Sequence, residues 1–184
     1  MTQAPLSDTE VDVWRLCMDH EIDAMVVLHQ LDEENKWLPG RGSSLSCPPF
    51  TVTIGNTGSR LDDVNQDRLV ISNNEQTRRM DIYQVPFESD TSVLKGVELL
   101  LETEKNPTFT FVVISKDSAG PTGIFCVLHN ALQQLRIDGE VDIFTTVRQL
   151  QIRRTEVITK LEEYKRCYQL VSQSTAAEGI YANM

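Results

Sequence analysis

The chain has 184 residues, of which 40% are hydrophobic and 24% are charged, a composition typical of one globular domain rather than of a disordered segment. Its 27 acidic residues against 17 basic ones give a net charge of −10. This balance argues against nucleic-acid and anionic-membrane interfaces, which need clustered Lys and Arg. No apolar run approaches the roughly 20 residues that cross a bilayer, and residues 1–5 lack the pattern of a signal peptide.

The first half of the chain predicts one helix, one buried strand and several weaker strands. Ser7 and Glu10 have the spacing of a capping box, which predicts a helix over residues 8–20 with Ser7 as its N-cap. Residues 24–28 form an apolar run of buried-strand length. Charged residues followed by Gly and Pro over residues 32–49 predict a surface connection. The remaining patterns predict strands at 50–54, 68–72 and 78–85 and a helix at 91–104.

The second half predicts one strong strand and three helices. Residues 109–114 are aromatic and β-branched and predict a strand, followed by a loop at 116–123 and a helix at 124–136. A further helix begins after Asp142 as N-cap, and the last begins at Thr155. The last helix is expected to bury five of its side chains, namely Ile158, Leu161, Tyr164, Tyr168 and Val171. Strands followed by helices predict an α/β domain whose sheet is covered by helices.

The cysteines and histidines show no metal-ligand spacing. Cys17, Cys47, Cys126 and Cys167 are far apart and include no Cys-x-x-Cys pair. We therefore expect reduced thiols in a cytoplasmic protein rather than a disulfide framework. No metal site and no cofactor site is predicted.

The loop at 116–123 is the most informative segment. Small residues between a buried strand and a helix start direct backbone N–H groups and the helix dipole at one place, which suits a phosphate. A plain strand-to-helix turn would give the same pattern. Spacing alone leaves both interpretations open.

Residues 113–128, VISKDSAGPTGIFCVL, resemble the signature of protein tyrosine phosphatases, V-H-C-S-A-G-x-G-R-T-G followed by an apolar helix. Five residues match directly: Ser118, Ala119, Gly120, Thr122 and Gly123. Further stretches are similar to family motifs, namely QAPL at 3–6, DVWRL at 12–16, MVVL at 25–28, VDIFTTVRQL at 141–150 and LEEY at 161–164. The resemblance is greatest to the second, membrane-distal domain of receptor-type phosphatases. It implies a twisted mixed β-sheet flanked by helices over residues 1–172, lacking the N-terminal part that carries the phosphotyrosine-clamping loop.

The same resemblance implies that the catalytic loop is degenerate. Asp117 stands where the family has its nucleophilic Cys, and Lys116 stands where it has a His. The loop is two residues shorter than the signature, with Pro121 inside it, and has no phosphate-gripping arginine. A carboxylate at Asp117 would repel a phosphate dianion, or would occupy the nest as an internal mimic of phosphate.

Two other catalytic elements of the family are altered. The general-acid loop W-P-D corresponds to Val85, Pro86 and Phe87, of which only the proline is retained. Glu88 or Asp90 would replace the acid if the alignment shifts, although a solvated loop carboxylate is the simpler interpretation. The family's water-positioning glutamines correspond to Thr159 and Glu163.

These changes predict a catalytically inactive phosphatase-like domain that acts through protein contacts. The expected partner is a catalytic phosphatase domain or a signalling adaptor, and neither nucleic acid nor direct membrane insertion is expected. Three alternatives stay open: a phosphatase with Asp117 as nucleophile, a domain that holds phosphotyrosine without turnover, and a hydrolase using Ser118. The missing arginine argues against the second, and the poor match to a nucleophile elbow argues against the third.

Residues 173–184 are predicted to form a flexible tail. The tail contains Tyr181 followed by Asn183, and Tyr-x-Asn resembles the phosphotyrosine ligand of certain SH2 adaptors. An exposed tail tyrosine without a partner is the alternative.

Overall fold

The computed structural model describes residues 1–29, 37–56, 58–61, 63–116 and 119–177. Within these ranges the chain forms eight strands and five helices. In chain order they are β1 (Thr2–Gln3), α1 (Glu10–Asp19), β2 (Ala24–Val27), β3 (Ser44–Cys47), β4 (Phe50–Ile54), β5 (Ser59–Leu61), β6 (Val64–Ser72), β7 (Thr77–Gln84), α2 (Asp90–Thr103), β8 (Phe111–Ser115), α3 (Gly120–Asp138), α4 (Ile143–Arg153) and α5 (Leu161–Ala177).

All eight strands belong to one mixed sheet in the order β1-β8-β2-β7-β6-β4-β3, with β5 paired to β6. The pairs β1–β8, β8–β2 and β2–β7 are parallel, and the remaining pairs are antiparallel. Parallel strands are covered on both faces and are therefore apolar, and all four residues of β2 are buried. The predicted fold class, a mixed sheet flanked by helices, is confirmed.

Side chains alternate between two hydrophobic clusters on the two faces of the sheet. Val26 and Val113 belong to the cluster that contains helix α3. Their neighbours Met25 and Ile114 belong to the opposite cluster, which contains Trp14 of α1. In the described ranges, no helix is both long and apolar enough to cross a membrane.

The start of α1 and the segment after β2 differ from the sequence predictions. Ser7 does not cap α1; Thr9 is its N-cap residue, and the Thr9 hydroxyl accepts from the Leu6 backbone N–H instead. The predicted surface connection over 32–49 is wrong at residues 37–39, which are buried, and at residues 44–47, which form a strand. Trp37 is buried with its ring centroid 5.6 Å from that of Trp14, and Ser44–Cys47 forms an edge strand that pairs with β4.

The helices of the second half also differ at their ends. Helix α3 begins at Gly120 rather than at 124, because Pro121 is tolerated in a first helical turn, where its missing N–H would have no partner. The last helix begins at Leu161 rather than at Thr155, since Ile158 adopts φ +52°. Leu161 and Tyr168, predicted to be inward, are exposed.

Helix α5 continues to Ala177, so residues 173–177 belong to the helix rather than to the predicted tail. Ser174 and Thr175 are buried, and this packing extends the helix beyond its apolar pattern. The N-cap predicted at Asp142 is confirmed: its carboxylate accepts from the Thr145 N–H at 2.9 Å, and this bond lowers the pKa of Asp142.

Candidate functional site

The strand–loop–helix junction predicted as a phosphate loop lies at the carboxyl end of β8. Lys116 follows the buried strand and is exposed, while its carbonyl accepts from Gln3 Nε2 at 3.2 Å. Ala119 is the N-cap residue of α3, and Gly120 is the first helical residue. Asp117 and Ser118 lie outside the described residues, so their predicted roles remain predictions.

Glycines at the start of α3 allow the chain that precedes α5 to approach closely. A Cβ on Gly123 would lie 2.6 Å from Val157 Cγ1, and a Cβ on Gly120 would lie 2.7 Å from Glu163 Oε1. Real Cβ atoms do not tolerate such distances, so the packing requires glycine at 123, where the neighbour is the buried Val157, and requires Glu163 to move if Gly120 is replaced. The small residues of the loop therefore have a packing role in addition to any role in holding phosphate.

The carboxylate of Glu163 lies against the start of α3. Its Oε2 accepts from the Lys160 backbone N–H at 3.2 Å, which caps α5, and its Oε1 lies 3.8 Å from Lys160 Nζ. The side chain is 18% exposed. Thr159, the other predicted glutamine position, is exposed. The structure thus brings Glu163, a predicted site residue, to the predicted phosphate loop.

A buried serine lies at the same junction. Ser115 ends β8, is 1% exposed, and its hydroxyl finds no hydrogen-bond partner within the described part of the chain. Because alternate residues of a strand share a face, Ser115 lies on the same face as Val113, the face that packs against α3. Leaving a buried hydroxyl unsatisfied costs about 1–3 kcal/mol.

The predicted general-acid loop connects β7 to α2 and is fixed at both ends. The Val85 N–H donates to the Val27 carbonyl at 2.8 Å, which extends the pairing with β2. Arg166 of α5 donates to the Phe87 carbonyl at 2.8 Å, and its guanidinium lies 4.3 Å from the centroid of the Phe87 ring. Pro86 lies between these two attachments.

The two carboxylates that could replace the general acid, Asp90 and Glu88, lie in different environments. Asp90 Oδ1 accepts from Nη2 and Nε of Arg166 at 2.7 and 3.0 Å, so this carboxylate is engaged in an ion pair with α5. Glu88 is exposed. This placement fits the interpretation of Glu88 as a solvated loop carboxylate.

A cavity of about 560 Å³ lies beside the general-acid loop at the carboxyl ends of β2 and β7. Val85 and Pro86 are the predicted site residues on its wall. Most of the other side chains that line it are polar: His29, Arg60, Asp63, Asn65, Gln84, Ser89 and Ser92.

The four cysteines are buried and free, and none of them lies in the loop at 116–123. Burial raises the pKa of Cys17 and Cys167 to about 12 and that of Cys126 to about 11, and it also raises the pKa of Cys47. A cysteine that attacks phosphorus must be a thiolate at neutral pH, and these buried environments disfavour the thiolate. Among the described residues, no group of three or more His, Cys, Asp or Glu is placed to hold a metal ion.

Sequence reasoning missed Arg166 and Ser115. Arg166 lies three residues after Glu163 on α5 and so on nearly the same helix face, but nothing in its neighbourhood in the sequence indicates a contact with residues 87–90. The sequence gives only a weak indication for Ser115, which is the polar last residue of an otherwise apolar strand.

Comparisons with known proteins agree with this geometry. The family model described as protein-tyrosine phosphatase matches residues 1–173. Human receptor-type tyrosine-protein phosphatase alpha is 27% identical over 199 residues, which cover 99% of this chain and 24% of the relative. The human epsilon relative is 27% identical over 201 residues, covering 99% of this chain and 29% of the relative. The chain thus spans about a quarter of the length of these relatives.

The fold is shared with a solved structure, the catalytic domain of human protein tyrosine phosphatase non-receptor type 18. The two superpose with a TM-score of 0.81 at 20% identity, covering 94% of this chain and 67% of that one. The family match covers nearly the whole chain, and the mixed sheet with flanking helices is the fold that the resemblance implied. The chain therefore belongs to the protein-tyrosine phosphatase family.

Proposed function

We propose that this chain is a catalytically inactive tyrosine-phosphatase-like domain that acts in phosphotyrosine signalling through protein–protein contacts. The observation that carries the proposal is the absence of a usable nucleophile. The loop after β8 has Asp117 where the family resemblance places Cys, and burial raises the pKa of every cysteine in the chain. A thiolate that attacks phosphorus is therefore not supplied.

The distribution of arginines supports the proposal. The loop at 116–123 contains no arginine, and the next one in the sequence is Arg136. Arg136 lies sixteen residues into α3, about 24 Å from its start at 1.5 Å per residue, and it lines a different cavity, together with Glu104. The loop at 116–123 therefore supplies no guanidinium that could bind two phosphoryl oxygens.

The environments of Asp90 and Glu88 also argue against a general-acid catalyst in this chain. Of the two carboxylates near the predicted general-acid loop, Asp90 is paired with Arg166 and Glu88 is exposed. General-acid catalysis needs a protonated group within hydrogen-bond reach of the leaving oxygen. The Asp90 Oδ1 already accepts two hydrogen bonds from Arg166, so this oxygen is engaged in an ion pair within the domain.

The alternative is a residually active phosphatase in which Asp117 attacks phosphorus. Hydrolysis of a generic aryl phosphate by the purified chain, measured beside Asp117→Ala, separates the two functions. We expect neither protein to exceed the buffer rate. Turnover by the natural chain that disappears in Asp117→Ala would overturn the proposal and identify Asp117 as the nucleophile.

The proposal includes two kinds of partner, a catalytic phosphatase domain that this domain regulates and a signalling adaptor, with a cytoplasmic location for both contacts. Tyr181 and Asn183 lie outside the described residues, so the adaptor hypothesis rests on sequence alone. A peptide of residues 176–184 phosphorylated at Tyr181 is expected to bind an adaptor SH2 domain and to lose binding on Asn183→Ala. Equal binding by the two peptides would remove the adaptor from the proposal.

A further inference from the structure

The N-terminal end of α3 has a carboxylate of the chain itself beside it. Glu163 Oε1 is so close to Gly120 that a Cβ there would lie 2.7 Å from it. The same carboxylate caps α5 through the Lys160 N–H at 3.2 Å. It therefore lies near the positive ends of two helix dipoles, where a negative charge is stabilised.

We propose that the Glu163 carboxylate acts as an internal anion that excludes phosphate from the start of α3. This inference rests on the proposed function, because it adds an electrostatic reason for the absence of phosphate binding. The carboxylate is only 18% exposed, so water screens it incompletely, and two like charges brought together at this place repel strongly. An incoming phosphate would have to displace Glu163 and uncap α5.

A second observation at the same junction is a buried hydroxyl group that has no hydrogen-bond partner in the described residues. The Ser115 hydroxyl is buried at the end of β8 and has no hydrogen-bond partner within the described residues. Buried hydroxyls are nearly always paired. The strand that leads into α3 thus ends in a buried hydroxyl without a partner, and we infer that an oxyanion bound at this junction would supply the missing acceptor once Glu163 is neutral.

Glu163→Gln tests the inference with little change in shape. A glutamine oxygen still accepts from the Lys160 N–H, so the cap of α5 is retained, while the negative charge is removed. Glu162→Gln is the matched control, because Glu162 is the preceding residue and is exposed. Glu163→Ala, which removes the carboxylate altogether, is the second variant.

The measurement is thermal unfolding in inorganic phosphate against chloride at matched ionic strength. Each variant is also made with Asp117→Asn, because Asp117 is the acidic residue of the loop at 116–123. We expect no phosphate-specific change in Tm for the natural chain, for Asp117→Asn alone, or for Asp117→Asn with Glu162→Gln. In the Asp117→Asn protein, Glu163→Gln and Glu163→Ala should each gain about 2–4 °C, the shift produced by phosphate at a few times its Kd. In a phosphate titration of the protein with Asp117→Asn and Glu163→Gln, the Gly120 and Thr122 amide resonances should move.

Two results would overturn the inference: no phosphate response in either Glu163 variant of the Asp117→Asn protein, or an equal response in the protein that carries Asp117→Asn alone. Neither result depends on turnover. Aryl phosphate hydrolysis tests the proposed function separately, so the failure of one can be told from the failure of the other.

Discussion

Arg166 of α5 forms an ion pair with Asp90 of α2 in which the guanidinium Nη2 lies 2.7 Å from the carboxylate Oδ1. Asp90 is the first residue of α2, and the same guanidinium also binds the Phe87 carbonyl and stacks on the Phe87 ring. One side chain thus fixes three points of the segment at 87–90. The end of the predicted general-acid loop is therefore held by α5.

Replacing Arg166 by Met should release this segment while keeping the length of the side chain. We expect the free energy of unfolding to fall by about 1–3 kcal/mol, because hydrogen bonds to charged groups and a cation–π contact are lost. Amide hydrogen exchange over residues 87–92 should become faster. Denaturant unfolding and exchange mass spectrometry measure the two effects.

Arg148→Met is the control for that prediction, because Arg148 is an exposed arginine of α4 and surface substitutions usually change stability by less than about 0.5 kcal/mol. If the two variants unfolded alike and exchanged alike over residues 87–92, Arg166 would not hold the segment.

Gly123→Ala should destabilise the domain although alanine is the better helix former. The added Cβ would lie 2.6 Å from Val157 Cγ1, and overpacking of this kind costs about 1–3 kcal/mol. Gly40→Ala is the matched control, since the nearest atom to its Cβ would be Ser43 Oγ at 3.6 Å. Urea unfolding that ranks Gly123→Ala at or above the natural chain would contradict the close packing of residue 157 on α3.

Ser115→Ala and Ser89→Ala should have opposite effects. Ser89 caps α2 by accepting from the Ser92 N–H at 3.2 Å, so its loss should cost about 1 kcal/mol. The Ser115 hydroxyl has no partner in the described residues, so its removal should leave the free energy of unfolding unchanged or increase it. A comparable loss in both variants, measured by thermal unfolding, would show that Ser115 has a partner.

The cysteines should react slowly with iodoacetamide at pH 7–8 in the folded protein and readily after unfolding. Their pKa values are raised from about 9 to about 11 for Cys126 and about 12 for Cys17 and Cys167. The thiolates are therefore scarce at neutral pH, and burial blocks access to them. Mass spectrometry of the alkylated protein counts the modified thiols, and rapid labelling of a native thiol at pH 7 would contradict the burial.

The raised pKa values of the cysteines also predict how the free energy of unfolding changes at alkaline pH. A thiol whose pKa is higher in the folded than in the unfolded protein binds its proton more tightly when folded. Its contribution to stability is complete below pH 9 and is lost as the pH rises through 11 and 12. Cys167→Ala should therefore reduce the loss of stability between pH 9 and 12 compared with the natural chain.

The sequence was most informative where local pattern and tertiary environment agree. The apolar run at β2 and the β-branched run at β8 predict buried strands, and both are central in the sheet. The Asp142 cap depends only on contacts within one helical turn, which is why its spacing was sufficient. The edge strand β3 was missed because three of its four residues are Ser or Cys, and its strand conformation comes from pairing with β4.

The contacts at the site depend on residues that are distant in the sequence. Gly120 could be read as part of a small-residue loop, but its contact with Glu163 comes from the packing of α5 on α3. Asp90 and Arg166 are separated in the sequence by α2, β8, α3, α4 and the start of α5, and no period or motif connects them. Family resemblance located Glu163 as an altered glutamine, whereas only the structure shows what its carboxylate contacts.

The order of strands in the sheet constrains how the chain folds during synthesis. Ala24 of β2 pairs with Asp81 on one side and with Phe111 on the other, and Thr2 of β1 pairs with Ile114. Strands β1 and β2 therefore leave the ribosome before β8, and the parallel half of the sheet closes only after β8 has emerged. Until then, β2 exposes an apolar surface, and such delayed non-local pairing is slow and prone to aggregation.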